Sequence, residues 1–153
     1  MTGIGTRAWT STDNARISDN LYAQVTAMIP GEESNYLTAT GFGFGVPANA
    51  SIYGISVFIE RSSLSGAGIV DDHVQIVKGG VVQPQDKFAS GIWGTTDAVI
   101  SYGGASDLWG QVWTPADVNA SNFGVALSAR YANTAGNDWP RVDEIRIQVY
   151  YCP

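Results

Sequence analysis

His73 is the residue best suited to acid–base chemistry in this chain of 153 residues, and it is the only histidine. Asp71 and Asp72 precede it and could orient the imidazole or share a cation with it. A metal site with two histidines is excluded by the count. However, His73 is out of phase with Val74 and Ile76, and successive residues of a strand point to opposite faces. The pattern therefore predicts a surface-facing strand residue, and we assign it no catalytic role.

Two acidic pairs, Asp71-Asp72 and Asp143-Glu144, could bind Ca²⁺ or serve as catalytic carboxylates. Ca²⁺ takes about six to eight oxygen ligands, and neither pair lies in a loop with the alternating Asp, Asn and Gly spacing of a calcium-binding loop. Glycoside hydrolysis needs two carboxyl groups at a set separation across a cleft, which sequence distance does not show. Both pairs lie at the start of predicted strands, where turn and edge roles are common. We therefore expect no catalytic residue, no metal ligand and no cofactor.

Five tryptophans are the feature most suggestive of binding. Exposed indole rings in loops could stack on sugars, and jelly-roll domains are a frequent scaffold for that role. Tryptophan is also highly buried on average and is enriched at protein interfaces. We favour core and interface positions over sugar binding.

The composition predicts strands that would position these residues. Val and Ile together number 26, whereas Leu numbers 5 and Lys 2. Branched side chains fit a pleated, half-buried surface, and the straight-chain residues that favour helices are scarce. The chain is therefore predicted to be all-β.

Short segments of strand character are separated by glycine-rich turns, and the predicted ranges are 22–28, 35–44, 52–61, 70–77, 98–102, 123–130 and 144–151. Several short strands with such turns indicate two antiparallel sheets packed face to face. We predict a two-sheet antiparallel β-sandwich of jelly-roll type. The last two segments are expected to pair as a hairpin through 133–138. The pattern does not determine the strand order.

Alternation within these segments predicts which side chains fill the core. Tyr53 is expected on the same face as the buried residues of its strand. The predicted core residues are Ile55, Val57, Ile59, Val74, Ile76, Phe123, Val125, Leu127, Ile145, Ile147 and Val149.

One short helical turn is predicted near 115–120. Thr114 can cap it, Pro115 suits the first helical position, and Asp117 lies where the acid of a capping box would be. Such a turn suits a crossover between sheets.

Nothing in the composition divides the chain into several folded units. Residues 1–20 lack periodicity and are expected to form an extended N-terminal arm, and 21–153 to form the sandwich domain. The single cysteine, Cys152, excludes an intramolecular disulfide. There is no apolar leader and no apolar run that could span a bilayer, so we expect a soluble product made in a cytoplasm.

The charge argues against two classes of partner. The formal net charge is −6 and charged residues make up 14% of the chain. An acidic protein does not bind nucleic acid by neutralising phosphates, so no nucleic-acid partner is expected. No membrane partner is expected either.

Segments along nearly the whole chain carry a family resemblance. They include Asp13-Asn14-Ala15-Arg16, Ser34-Asn35-Tyr36-Leu37, Gly41-Phe42-Gly43-Phe44, Ile59-Glu60-Arg61, Val70-Asp71-Asp72, Lys78-Gly79-Gly80, Trp113-Thr114-Pro115-Ala116-Asp117, Asn122-Phe123-Gly124-Val125 and Val149-Tyr150-Tyr151. Together they resemble tailed-phage virion structural proteins, specifically head decoration (cement) proteins with a jelly-roll fold.

The resemblance implies a non-enzymatic protein that binds the outer surface of a phage capsid and stabilises it through the major capsid protein. It implies synthesis in the host cytoplasm, location in the virion, and a homo-oligomer, with a trimer favoured. The arm, 1–20, is the candidate for docking on the capsid. The candidate residues of a capsid or subunit interface are Trp9, Arg16, Trp93, Trp109 and Trp139.

A second hypothesis is a glycan-binding jelly-roll module of a phage fibre or spike, or of a secreted protein. It predicts exposed coplanar aromatic rings and measurable affinity for sugars. A third hypothesis, a hydrolase, lacks candidate catalytic residues.

Overall fold

The computed structural model describes residues 4–153, and its elements follow from the branched, alternating segments of the sequence. In chain order they are a 3-10 turn (Thr12–Ala15), β1 (Ala23–Gln24), β2 (Leu37–Thr40), β3 (Ser51–Ser63), β4 (Ile69–Lys78), β5 (Val81–Asp86), β6 (Ala98–Gly104), α1 (Pro115–Asn119), β7 (Gly124–Tyr131) and β8 (Pro140–Cys152).

The strands form two antiparallel sheets of four strands each, in the orders β1-β8-β3-β6 and β2-β7-β4-β5. Every connection between consecutive strands crosses from one sheet to the other, except the one between β4 and β5. Two four-stranded sheets with this interleaved order form a jelly roll. The prediction of an all-β, two-sheet sandwich of jelly-roll type is confirmed.

The predicted hairpin between the last two strands is wrong. β7 pairs with β2 and β4, whereas β8 pairs with β1 and β3, so the two strands lie in opposite sheets. Both strands bury one apolar face, and alternation alone fits two facing sheets as well as it fits a hairpin. The observed hairpin joins β4 to β5 through Gly79 and Gly80, with φ of 60° and 78°. Positive φ at both central residues is what a type I′ turn requires.

The core lies between the two sheets. Among the predicted core residues, Ile147 and Val149 are partly buried and pack against it, and those that are buried are Ile55, Val57, Ile59, Val74, Ile76, Phe123, Val125, Leu127 and Ile145. Tyr53, which alternation placed on the core face, is 48% exposed. The register of β3 against β8 shifts between Ile52 and Gly54, and such a bulge reverses the alternation on its far side.

The helical turn forms where it was predicted. Thr114 Oγ1 accepts a hydrogen bond from the Asp117 backbone N–H, and the Asp117 carboxylate accepts one from the Thr114 backbone N–H. This capping box satisfies backbone groups that a five-residue helix would leave without partners. Among residues 4–153, no helix has the length and apolar character needed to cross a bilayer.

Residues 4–20 of the predicted arm follow the surface of the chain's own sandwich. Isolated bridges join Arg7 to Ser34, Thr10 to Gln24, and Arg16 to Glu144. Ala15, in the 3-10 turn, is buried in the core cluster. The remainder of the predicted arm, 1–3, lies outside the described residues.

Candidate functional site

Two of the five candidate interface residues lie inside the molecule. Trp93 and Trp109 have no exposed surface. Trp93 Nε1 donates to Asp71 Oδ1 at 2.9 Å, and Trp109 Nε1 donates to the Ile55 carbonyl at 2.9 Å. A side chain without accessible surface cannot contact a partner, so their assignment to a capsid or subunit interface is wrong. Their indole groups fill the sandwich and satisfy buried acceptors.

The other three candidates keep accessible surface. Trp9 is half-buried, with its Nε1 donating to the Asn35 carbonyl at 2.9 Å, and Trp139 is half-buried as well. The Arg16 side chain is 77% exposed and lies 2.9 Å from Asp13 Oδ1. Trp9, Arg16 and Trp139 therefore remain predicted interface residues.

Arg16 lies at the mouth of a cleft on the β2 side of the sandwich. The cleft has a volume of about 540 Å³ and its walls are the 3-10 turn, the edge strand β2 and Ile145 of β8. Thr38 Oγ1 in this wall is buried and has no hydrogen-bond partner among residues 4–153. A second groove of about 330 Å³ shares Arg16, Phe42 and Ile145 with the first, so the two are neighbours. We call them together the β2 cleft.

Aromatic rings and a second arginine line the outer part of the β2 cleft. Phe42 and Phe44 stack with centroids 5.9 Å apart and an interplanar angle of 22°. The Arg146 guanidinium lies 5.1 Å from the centroid of the Phe58 ring. Flat rings beside cationic groups suit a ligand that has both an apolar face and polar edges.

Large apolar side chains are exposed on the opposite side of the sandwich. Val81, Phe88, Ile92 and Val99 are 62%, 56%, 59% and 49% exposed, respectively. They lie on β5, on β6 or on the segment that joins these two edge strands. We call this set the β5–β6 edge. Exposed apolar side chains beside unpaired strand edges favour contact with another protein.

Three carboxylates converge beneath residues 19–22 of the N-terminal segment. They belong to Glu60, Asp97 and Asp143, and we call these three residues the acidic centre. One carboxylate oxygen from each lies within 4.8 Å of the others. The register of β3 against β8 passes from Glu60 opposite Glu144 to Arg61 opposite Val142, which leaves Asp143 as the extra residue of a bulge. Asp97 directly precedes β6, the other neighbour of β3.

The N-terminal segment donates hydrogen bonds to two members of the acidic centre. The backbone N–H groups of Asp19 and Asn20 each donate to Asp143 Oδ1 at 3.1 Å. The Tyr22 hydroxyl donates to Asp97 Oδ2 at 2.8 Å. Burial, followed by this bond to Asp97, raises the pKa of Tyr22 to about 12, so the phenol stays protonated at neutral pH.

Sequence reasoning singled out Asp143 but missed Glu60 and Asp97. The members of the acidic centre are far apart in the sequence, and only the pairing of β3 with β6 and β8 brings them together. Neither acidic pair of the sequence acts as a unit. Asp143 is buried in the acidic centre, whereas the Glu144 carboxylate contacts Arg146 Nε at 2.9 Å.

The two members of the other acidic pair, Asp71 and Asp72, also have separate partners. Asp71 is buried, and its carboxylate accepts hydrogen bonds from Trp93, from the Tyr102 hydroxyl at 2.8 Å and from the Ala89 N–H at 2.9 Å. Burial, and then the charge of Asp71, raises the pKa of Tyr102 far above its ordinary value. Asp72 instead accepts a hydrogen bond from the Ser128 hydroxyl at 3.1 Å.

His73 lies between two carboxylates. Its Nδ1 contacts the Asp86 carboxylate, and its Nε2 lies 3.6 Å from Asp72 Oδ2. Asp86 Oδ1 also accepts hydrogen bonds from the backbone N–H groups of Val74 and Phe88. Because Asp86 is the last residue of β5, the histidine links β4 to the end of that neighbouring strand.

Comparisons of this chain with protein-family models, with curated proteins and with solved structures found no match.

Proposed function

We propose that this chain is a non-enzymatic structural protein of a virus particle, specifically a decoration protein that binds the outer surface of a phage capsid. It would stabilise the shell through contacts with the major capsid protein, after synthesis in the host cytoplasm. The segments that resemble cement proteins run along nearly the whole chain, and the jelly-roll order of its strands agrees with that family's fold.

The observation that carries the proposal is the β5–β6 edge. Val81, Phe88, Ile92 and Val99 expose between 49% and 62% of their surface on one side of a well-packed sandwich. A contiguous patch of exposed apolar side chains marks a contact site on a soluble domain. A lattice protein needs such a surface for a neighbouring copy or for the capsid. We assign the β5–β6 edge to self-association, with a trimer favoured because decoration proteins sit on symmetric lattices.

The three candidates that keep accessible surface, Trp9, Arg16 and Trp139, are the proposed contact with the major capsid protein. Arg16 is the residue to test, because its side chain is exposed and its removal leaves the interior unchanged. Deletion of 1–20 is a poorer test, since it would also remove Ala15 from the core and Trp9 from its bond to Asn35. Arg16→Ala should weaken capsid binding, with Arg130→Ala, whose side chain is 47% exposed, as control.

The proposal is tested on particles purified from the virus that encodes the chain. Mass spectrometry should detect the chain at a fixed ratio to the major capsid protein, and electron microscopy should place it on the outside of the head. A chain that is absent from the head shell would overturn the proposal.

A second candidate function is a glycan-binding module of a phage fibre or spike, or of a secreted protein, and the β2 cleft favours it. The stacked rings of Phe42 and Phe44 beside Arg16 and Arg146 offer an apolar platform with polar edges. Trp93 and Trp109 cannot contribute, because both are buried. A glycan array probed with the chain and with Phe42→Ala separates the two functions: sugar binding that the substitution abolishes would favour the module.

A further inference from the structure

The acidic centre brings three carboxylates together, and the basic side chain that packs on its neighbour Tyr22 is Arg141, whose guanidinium lies 5.2 Å from the centroid of the Tyr22 ring. Asp143 has no exposed surface, and Glu60 and Asp97 are half-buried. Carboxylates this close repel one another, and burial strengthens the repulsion because less water screens it. Within residues 4–153, no Lys or Arg forms an ion pair with any of the three.

One buried oxygen of the acidic centre has no hydrogen-bond partner in the described part of the chain. Asp97 Oδ2 accepts the Tyr22 hydroxyl, but Asp97 Oδ1 is buried and accepts no hydrogen bond from residues 4–153. A buried polar atom without a partner costs about 1–3 kcal/mol, and more when the group is charged. Such an atom, beside two further carboxylates, points to a ligand that accepts electron pairs from oxygen.

We propose that Glu60, Asp97 and Asp143 bind a divalent cation, and that the cation is Ca²⁺. Ca²⁺ binds carboxylate oxygens at about 2.3–2.6 Å, so two ligands on opposite sides of the ion lie about 4.6–5.2 Å apart. The three oxygens lie within 4.8 Å of one another, which is no farther apart than two ligands of one Ca²⁺ ion can be. Ca²⁺ also tolerates irregular geometry, whereas Mg²⁺ demands a near-ideal octahedron.

The site joins three parts of the fold. Glu60 lies on β3, Asp97 precedes β6, and Asp143 lies in the β8 bulge that the backbone of Asp19 and Asn20 covers. A cation here would neutralise the charges that oppose this arrangement. It would thereby fasten the N-terminal segment to the sandwich.

The test uses the full chain, freed of metal with a chelator and titrated with Ca²⁺ and, separately, with Tb³⁺. Ca²⁺ at about 1 mM should raise the Tm and release or absorb heat in calorimetry. Tb³⁺ should show luminescence excited through Tyr22, the aromatic ring that contacts Asp97. Mg²⁺ should produce a smaller shift in Tm than Ca²⁺ at the same concentration.

Glu60→Gln and Asp97→Asn should each weaken Ca²⁺ binding by about tenfold or more. Without metal, the same variants should melt above the metal-free wild type, because one repelling charge is gone; a purely structural role for these acids predicts the opposite sign. The matched controls are Glu33→Gln and Asp13→Asn, exposed acids outside the centre, which should bind Ca²⁺ as the wild type does.

Glu60→Gln is the deciding variant, because it leaves the bonds of Asp143 to Asp19 and Asn20 in place. If Glu60→Gln binds Ca²⁺ as tightly as the wild type, the proposal is overturned. It is also overturned if the wild type shows neither heat nor a Tm shift with Ca²⁺.

Discussion

Arg61 Nε lies 3.2 Å from Asp71 Oδ1, and this ion pair joins the two sheets because Arg61 is on β3 and Asp71 on β4. The two side chains are only 7% and 0% exposed. The Arg61 guanidinium also lies 4.7 Å from the centroid of the Trp93 ring, and Trp93 donates to the same carboxylate. A charged cross-link in the interior is stable only while both partners are present.

Asp71→Asn is therefore expected to lower the free energy of unfolding by about 3–5 kcal/mol, since it leaves the Arg61 charge buried without a counter-ion. Urea unfolding at neutral pH, followed by tryptophan fluorescence, measures the loss. The control is Asp13→Asn, which removes an exposed ion pair with Arg16 and should cost less than about 1 kcal/mol. Equal losses in the two variants would contradict the role of the cross-link.

Gly103→Ala is expected to be strongly destabilising. Gly103 has φ of 74°, and a Cβ there would lie 2.4 Å from the Ile55 carbonyl oxygen and 2.6 Å from Trp109 Nε1. The strained backbone alone costs about 1–3 kcal/mol, and the overlap with Trp109 adds to it. Gly104→Ala is the matched control, because a Cβ at Gly104 meets nothing within 4 Å. A similar Tm for the two variants would contradict the packing of Trp109 against the end of β6.

Because of Asp138, the free energy of unfolding is expected to decrease at acidic pH. Burial alone would raise its pKa, but hydrogen bonds from the backbone N–H groups of Ser65, Trp139 and Ala67 outweigh burial and lower it below the ordinary 3.8. A lowered folded-state pKa contributes stability above pH 3.8 that is lost as the pH falls through the folded-state value. Asp138→Asn should thus cost about 1–3 kcal/mol at neutral pH and progressively less below pH 3.8. Urea unfolding of the wild type and of Asp138→Asn across this pH range measures the difference in their free energies of unfolding. A difference that stays constant with pH would refute the prediction.

Polar substitutions in the β5–β6 edge are expected to change the oligomeric state. Ile92→Ser with Val99→Ser should lower the mass of the assembly, because both side chains are exposed and would contact a second copy. The Tm of the isolated chain should change little, since substitutions of exposed residues cost about 0.5 kcal/mol or less. Sedimentation measures the mass, with the exposed Ile17→Ser, outside the edge, as control. An unchanged mass, or a monomeric wild type, would contradict self-association through this edge.

The capped helical turn could be predicted from the residues that immediately surround it. Thr114, Pro115 and Asp117 act through groups that are three residues apart or fewer, so the turn follows from spacing alone. Alternation was equally informative for the burial of Val57 and Val74. It failed at Tyr53, because a bulge between paired strands shifts the phase, and the partner strand is distant in the sequence.

The acidic centre and the tryptophans show the limit of pattern reasoning. Asp97 was not singled out, since its position beside Glu60 and Asp143 exists only once β6 and β8 flank β3. Trp93 and Trp109 were assigned to an interface, but buried acceptors at Asp71 and Ile55 satisfy their N–H groups, which allows them to lie inside.

The sequence by itself determined the all-β class, the two-layer architecture, the capped turn and the periodic core, because side-chain branching, alternation and capping act over a few neighbouring residues. Only the tertiary structure decided the strand order, the separation of β7 from β8 and the convergence of the three carboxylates. These depend on which distant strands pair and where their registers shift. That choice is set by packing the whole interior at once, which no local pattern encodes.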